Sequence, residues 1–436
     1  NIHLAVPQPS QPRRRRAHWP LCTMPESGTQ QTLGSRCRGR WKWIFAAILV
    51  PIAFMLEAIA RNRLWVRFAF WFGLYGFVSV RDWRHKPGDP EFEAFMDEFP
   101  ITRFSLDVGQ RAMFGPVRTE RMPWLMDRFD WLVDPFPYGS WPRMQKEVVE
   151  FVRGFGSTPE HRRSPDPAAV FAAPHAVRAL LQEARSSFAE GAAARRSLVI
   201  AGTDMGLSEA LGPTAEQREL TLKGLRVHFG RIFAEAKDFE AEGVSTMPMG
   251  LPENYLRGAN VSAIKSAVAA ASLEEKPRPV LAAWGKWMAA CSKPIQHRDK
   301  IACKSREEAK AWAESEEGQK AGVQVRSVPP KEWWRELSQY RFMLAPLGAG
   351  VQTSKVIEAL LVLTIPIVER GPYPAYDDLQ RLGFPLVVVG NWSEVAEPGR
   401  LDAWHRELAP RLRRFRDTCL TAEGYWRLVV GSGADG

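Results

Sequence analysis

Residues 340–369 read YRFMLAPLGAGVQTSKVIEALLVLTIPIVE, two short apolar runs on either side of a glycine-bearing loop and a helical stretch. Residues 342–345 and 365–369 have the length and apolar character of buried strands, while 354–362 reads as a helix. A strand, a helix and a second strand in that order form a βαβ unit, whose strands are parallel and whose crossover is right-handed.

The alternation continues outward. Residues 279–284, 323–328 and 386–389 read as further strands, and 306–313, 332–338, 376–382 and 401–415 as helices, the last closing the fold. On the N-terminal side, 197–201 is a short apolar strand ending in Gly202-Thr203-Asp204, a strand-to-loop transition of the kind that carries ligands in open α/β sheets. A helix is expected over 168–194. Thr214 and Gln217 open another as a capping box, and Leu220, Leu222, Leu225, Phe229, Ile232 and Phe233 carry it on. A further βα unit is expected to close near 244–249. Two such layers predict an α/β protein of two Rossmann-like domains facing a cleft, at 151–275 and 276–436. Residues 61–150, with many aromatic residues and prolines toward their end, read as a juxtamembrane stem, and 154–168 as a loop.

Chemistry is expected at the loop of the first-quoted stretch. A helix beginning near Ser354 points its free N–H groups back at residues 346–353, which suits an anion. In the loop that opens with Pro346, Gly348 and Gly350 let the backbone approach a phosphate closely. Thr353 or Ser354 can cap the helix, and Lys355 adds a point charge for a diphosphate. Glu358, one turn on, is placed to accept hydrogen bonds from ribose hydroxyls. The plainer reading is that the glycines turn the chain and Glu358 pairs with Lys355. Gly348-x-Gly350 lacks the third glycine of a dinucleotide fingerprint, and no G-K-[ST] of a P-loop follows.

Phe342-x-Leu344-x-Pro346-x-Gly348, then Lys355-x-x-Glu358-Ala359 and Ile365-Pro366-Ile367-Val368, resembles the C-terminal donor-binding half of exostosin-type glycosyltransferases. That family's pattern is roughly F-x-L-x-P-x-G, R-x-x-E-A and G-C-I-P-V. The run from Gly383-Phe384-Pro385 to Gly390-Asn391-Trp392 is similar to the tail of the group, including its ribitol xylosyltransferase branch. The resemblance covers residues 331–396, is diffuse back to Thr246 and is absent before it. It implies a GT-B-like fold in which a nucleotide sugar, a UDP-sugar, lies between two domains as donor substrate, with no further cofactor. It also implies inverting transfer to a glycan or glycoprotein acceptor by a type II membrane protein of the Golgi or endoplasmic reticulum. Two positions depart from the pattern. Lys355 stands where the family has arginine, keeping the charge but losing the bidentate fork, and Leu363 stands where it has glycine. A catalytically impaired glycan-binding or scaffold protein on the same fold is the alternative these departures raise.

Inverting transfer needs a general base for the acceptor hydroxyl. Asp204 at the strand end and Glu209 are the candidates, with a turn or cap role as the plainer reading of Asp204. Arg298 and Lys300 are within reach of a donor diphosphate or are simply solvated, and Trp333 and Trp334 read as packing. No D-x-D occurs and the eight His show no H-x-x-x-H spacing, so no metal site is expected.

The charge suits an anchored enzyme better than a nucleic-acid-binding one. The chain carries +10, yet residues 1–86 hold fourteen Lys and Arg against three acids, Glu26, Glu57 and Asp82, which leaves the body slightly negative. Residues 43–60, broken only by Glu57, are apolar enough for a membrane anchor, and the basic tail of 1–42 stays cytoplasmic by the positive-inside rule, with the body luminal. A buried core helix and a cleaved signal peptide are the other readings of that run. A second apolar run at 68–80 is too short to cross and reads as interfacial. The chain opens at Asn1, with Met24 a candidate start. Asn260-Val261-Ser262 and Asn391-Trp392-Ser393 are glycosylation triplets, and Cys291 and Cys303 are spaced for a local bridge, both in keeping with the secretory pathway.

Overall fold

The computed structural model describes residues 90–103, 124–133, 166–189, 191–252, 261–283, 297–348 and 350–431. The chain divides into two units, Asn1–Leu74 and Tyr75–Gly436, and every described residue belongs to the second. The basic tail, the run at 43–60, the run at 68–80, Asn260 and Cys291 lie outside the described residues. Among the described residues no helix is long and apolar enough to cross a membrane.

The N-terminal half opens with α1 (Pro90–Glu98), β1 (Ile101–Arg103) and α2 (Trp124–Asp127). There follow β2 (Trp131–Val133), β3 (Ala169–Ala172), α3 (Val177–Ser187), β4 (Ser197–Ile200), α4 (Leu207–Leu211), α5 (Ala215–His228), β5 (Arg231–Ala234) and β6 (Val244–Thr246). Strands β2 to β6 form one parallel sheet in chain order. β3 and β4 are buried at every position, because helices cover both faces of a parallel sheet. The short strand β7 (Leu251–Pro252) pairs with β1, and α6 (Val261–Ala270) leads into the second half.

Three sequence expectations are corrected here. Residues 169–172, expected within a helix over 168–194, are strand β3, held in register between β2 and β4, and only Val177–Ser187 of that stretch is α-helical. The helix opened by Thr214 starts as read, with its hydroxyl accepting from the Gln217 N–H at 3.2 Å, but it stops at His228. Gly230 then packs against the chain at Ala193 and Ala194, where a Cβ would lie 2.7 Å from the Ala194 Cα, and Ile232 and Phe233 become strand β5. Trp131–Val133, within the stretch read as a stem, is the edge strand β2 of the first sheet.

The second half runs β8 (Arg278–Ala282), α7 (His297–Glu314), α8 (Glu316–Lys320), β9 (Val323–Val325), α9 (Trp333–Leu337) and β10 (Tyr340–Ala345). It continues through α10 (Lys355–Leu361), β11 (Ile365–Glu369), α11 (Ala375–Arg381), β12 (Val387–Val389) and α12 (Arg400–Cys419). Its sheet is parallel with the order β12-β11-β10-β8-β9, so the chain fills one side of β8 with β9 and then crosses to the other side with β10. Each element expected between 279 and 389 is present. Helix α12 is not the last: α13 (Ala422–Val430) follows, capped by Thr421, and returns to the first sheet, where the Ser197 hydroxyl donates to the Val429 carbonyl at 2.8 Å. One apolar cluster joins the halves, running from Phe171 and Phe233 to Phe342 and Ile367.

Candidate functional site

In an open parallel sheet, ligands bind outside the carboxyl ends of the strands at the point where strand order reverses. In the second half that point lies between β8 and β10. Helix α7, on the connection that leaves β8, meets the loop that leaves β10: the Leu347 N–H donates to the Ser305 hydroxyl oxygen at 3.1 Å, and Arg306 Nε donates to the Leu347 carbonyl at 3.2 Å. Ser305 in turn donates to the Glu369 carboxylate at the end of β11. Burial pushes the Glu369 carboxyl up, against the hydrogen bond from Ser305. Arg306 is half-buried, and among the described residues its terminal guanidinium nitrogens have no hydrogen-bond partner. Burial draws its pKa down, opposed by the charge of Asp204.

The loop from Pro346 to Ser354 is closed by its own backbone. Gly348 bridges to Val351 and Gly350 to Gln352. A Cβ at Gly348 would lie 1.9 Å from the Gln352 carbonyl, so glycine is required there by the chain itself. Neither Thr353 nor Ser354 caps α10 as the sequence suggested. Ser354 donates instead to Glu358 Oε1 at 3.1 Å, and Thr353 Oγ1 accepts from the Lys355 N–H at 3.4 Å. Glu358 is fully buried, and its Oε2 accepts from Trp333 Nε1 at 2.5 Å and from Lys355 Nζ at 2.7 Å. The carboxylate expected to face a ribose therefore faces inward and holds Lys355, whose ammonium also lies 4.2 Å from the centre of the Trp333 ring. Arg298 falls in the first turn of α7, upstream of Arg306 on the same helix.

The first sheet brings its own strand ends to this place. The side-chain amide of Gln352 donates to the carbonyls of Glu235, at 2.6 Å, and Met247, at 2.8 Å, and its oxygen accepts from the Met249 N–H at 3.0 Å. Lys237, after β5, pairs with Asp378 of α11 at 2.8 Å, and Thr246 donates to the same carboxylate at 2.6 Å. The carboxyl ends of β5 and β6 thus meet those of β10 and β11. Asp204 is exposed in the loop after β4, within electrostatic reach of Arg306, and Glu209 is exposed on α4. Glu235 is fully buried at the end of β5, with the Gly202 N–H directed at its carboxylate from 3.5 Å.

Sequence reasoning missed three residues here. Glu235 follows a strand that was read as helix, Gln352 lay inside the quoted loop without an assigned role, and Arg306 sits in a charged helix that carries no motif. Among the described residues no group of three or more His, Cys, Asp or Glu is arranged to hold a metal ion. Cys303 is disulfide-bonded and Cys419 is free.

No protein-family model matches the chain, and no curated protein is significantly similar to it. Among solved structures it is similar to Arabidopsis thaliana UGT89C1 complexed with UDP, at 12% identity and a TM-score of 0.31, over 66% of this chain and 76% of that one. It is also similar to the UDP-GlcNAc 2-epimerase from Methanocaldococcus jannaschii, at 10% identity and a TM-score of 0.30, over 67% of this chain and 82% of that one. Likenesses this distant do not bear on what the chain does.

Proposed function

We propose that the chain is a glycosyltransferase that holds a nucleotide-diphosphate sugar, a UDP-sugar, where the two sheets meet and passes the sugar to a glycan or glycoprotein acceptor. The observation that carries this reading is the strand-order reversal between β8 and β10, set against the carboxyl ends of β5 and β6. A reversal opens a ligand crevice in one sheet, and a second sheet facing it supplies the opposite wall. In this reading Asp204 or Glu209 takes the proton of the acceptor hydroxyl as its oxygen attacks the anomeric carbon, with inversion, and the bond to the diphosphate breaks. The loop of Pro346, Gly348, Gly350, Thr353 and Ser354, with Lys355 and Arg298, lines the donor side, and its cations offset the charge developing on the leaving diphosphate. The nucleotide sugar is the donor substrate, and no cofactor is required. Residues 43–60 anchor the protein in the Golgi or endoplasmic reticulum membrane with its body luminal.

Calorimetric titration with UDP, UMP and uridine tests the reading. UDP is expected to bind in the micromolar range, with UMP weaker and uridine weaker still; no UDP binding at millimolar concentration removes it. The commitment of Lys355 to Glu358 favours one other reading, a glycan-binding protein that has lost transfer. Slow release of free sugar from UDP-sugars separates the two, since an enzyme leaks hydrolysis and a binding protein does not.

A further inference from the structure

Two cations of the second half compete for a diphosphate, and they differ in how far their charge is already answered. Lys355 is paired with a fully buried carboxylate that Trp333 and Ser354 hold in place. Among the described residues Arg306 has no hydrogen-bonded carboxylate, only the more distant charge of the exposed Asp204. Its Nε bond to the Leu347 carbonyl fixes the plane of the guanidinium and leaves the terminal nitrogens open at the strand ends. A half-buried charge without a directly paired counter-ion is costly, and a planar fork matches two oxygens of a phosphate.

Tyr376 provides the second, independent observation. Its side chain is 2% exposed and its hydroxyl has no hydrogen-bond partner, whereas buried polar atoms nearly always have one. The Thr353 backbone N–H approaches the hydroxyl oxygen without completing a bond, so the phenolic proton is left to be donated elsewhere. Burial drives the phenol well above its ordinary pKa, and it stays a donor at any working pH. Tyr376 comes from α11 and Arg306 from α7, yet the two converge on the loop of residues 347–353 within electrostatic reach of each other.

We propose that Arg306 and Tyr376 form the core of the diphosphate pocket of this protein, with Lys355 a flanking charge whose first partner is Glu358. This rests on the nucleotide-sugar reading of the same junction. The guanidinium fork takes one phosphate, the Tyr376 hydroxyl donates to an oxygen of the diphosphate, and Asp204, facing Arg306 from the other sheet, lies on the side where the sugar carbon must be.

Tyr376→Phe removes an oxygen that bonds nothing in the protein, so its melting temperature should equal or exceed that of the parent. Its affinity for UDP should fall about tenfold, as for a lost hydrogen bond to a charged group, with uridine binding unchanged. Arg306→Lys keeps the charge and loses the fork, and should weaken UDP by about tenfold or more. If the parent protein binds UDP and either variant binds it equally well, the pocket is wrong while the glycosyltransferase reading stands. If the parent binds no UDP, that reading fails first.

Discussion

The first sheet adds its strands in chain order from β2 to β6, whereas the second reverses between β8 and β10. The loops at their carboxyl ends are used differently as well. After β5 the first sheet engages its polar groups with the rest of the protein: Asp238 accepts from the Ser208 N–H at 2.9 Å and its hydroxyl at 2.5 Å, and Lys237 is buried against Asp378. The second sheet leaves the Arg306 fork open beside its reversal. Both sets of strand ends join the halves, through Gln352 and through Lys237 with Asp378, but the second also leaves a guanidinium fork open.

The sharpest way to break that contrast is at the joint. Lys237 is 4% exposed and Asp378 9%, while the other carboxylate at Lys237, Glu240 at 3.5 Å, is 73% exposed, so Asp378→Ala leaves a buried ammonium with only that outer partner and should cost about 3 kcal/mol in urea denaturation. Burial alone would raise the Asp378 carboxyl, but hydrogen bonds from Lys237, Thr246 and Arg381 outweigh it and hold the pKa below the usual range. A depressed folded value means that this stability is present above the unfolded pKa, about 4, and drains away as pH falls through the folded one. The parent should therefore lose more stability than Asp378→Ala in acid below about pH 4. Parallel curves for the two proteins would show that the pair does not hold the halves together.

Each half also buries a cation, and the two are answered differently. Arg196, 1% exposed, donates from Nε to Asp166 at 3.0 Å and stacks on the Phe188 ring at 4.7 Å. Lys276, 3% exposed, meets only neutral acceptors, the Ser338 carbonyl at 2.8 Å, the Val362 carbonyl at 2.9 Å and the Thr364 hydroxyl at 3.1 Å. Burial draws the Lys276 pKa down from 10.5 to about 7. Across that window the unfolded chain binds the proton that the folded protein releases, so stability should rise with pH. Acid thus acts on the first half, where the hydrogen bond from Arg196 holds the Asp166 carboxyl low, and alkali favours the second. Lys276→Met should flatten the rise between pH 7 and 9 and cost about 1–3 kcal/mol for the acceptors left unpaired. A parent protein no more stable at pH 9 than at pH 7 would mean that these oxygens keep the ammonium charged.

The same contrast decides what could be read from the sequence. In the second half the strands are runs such as Ile365–Glu369 and Val387–Val389, β-branched and bounded by turn residues, and they appear where expected. In the first half AVFA of β3 is alanine-rich and without period, and RIFA of β5 follows its helix after only Phe229 and Gly230, so both were absorbed into neighbouring helices. At the site, sequence reasoning found the loop but not its chemistry. Spacing cannot reveal that Glu358 turns inward to Trp333, or that Arg306 arrives at Leu347 from 41 residues upstream.

Backbone strain separates the halves too, and gives the smallest of these tests. Among the described residues of the first half every left-handed residue is a glycine, whereas the second half places Val351 at φ 72° and Leu363 at φ 59°, on either side of α10. Leucine is unusual at a left-handed residue, and the geometry shows why this position is left-handed. The Thr364 N–H bonds the Ala359 carbonyl at 2.8 Å and the Leu363 N–H bonds that of Leu360 at 3.1 Å, a Schellman closure of α10 whose pivot must be left-handed. Leucine persists there because its side chain is fully buried. Truncation should therefore destabilise in either form, but in an unusual order. At an ordinary position glycine is worse than alanine by roughly 0.5–1 kcal/mol through chain entropy, whereas here alanine keeps a Cβ that costs about 1–2 kcal/mol in the left-handed region. Leu363→Gly should thus come out ahead of Leu363→Ala by up to about 1 kcal/mol in denaturant titrations. The reverse order would mean that the pivot relaxes when the leucine is cut back, and that the second half stores no strain at the end of α10.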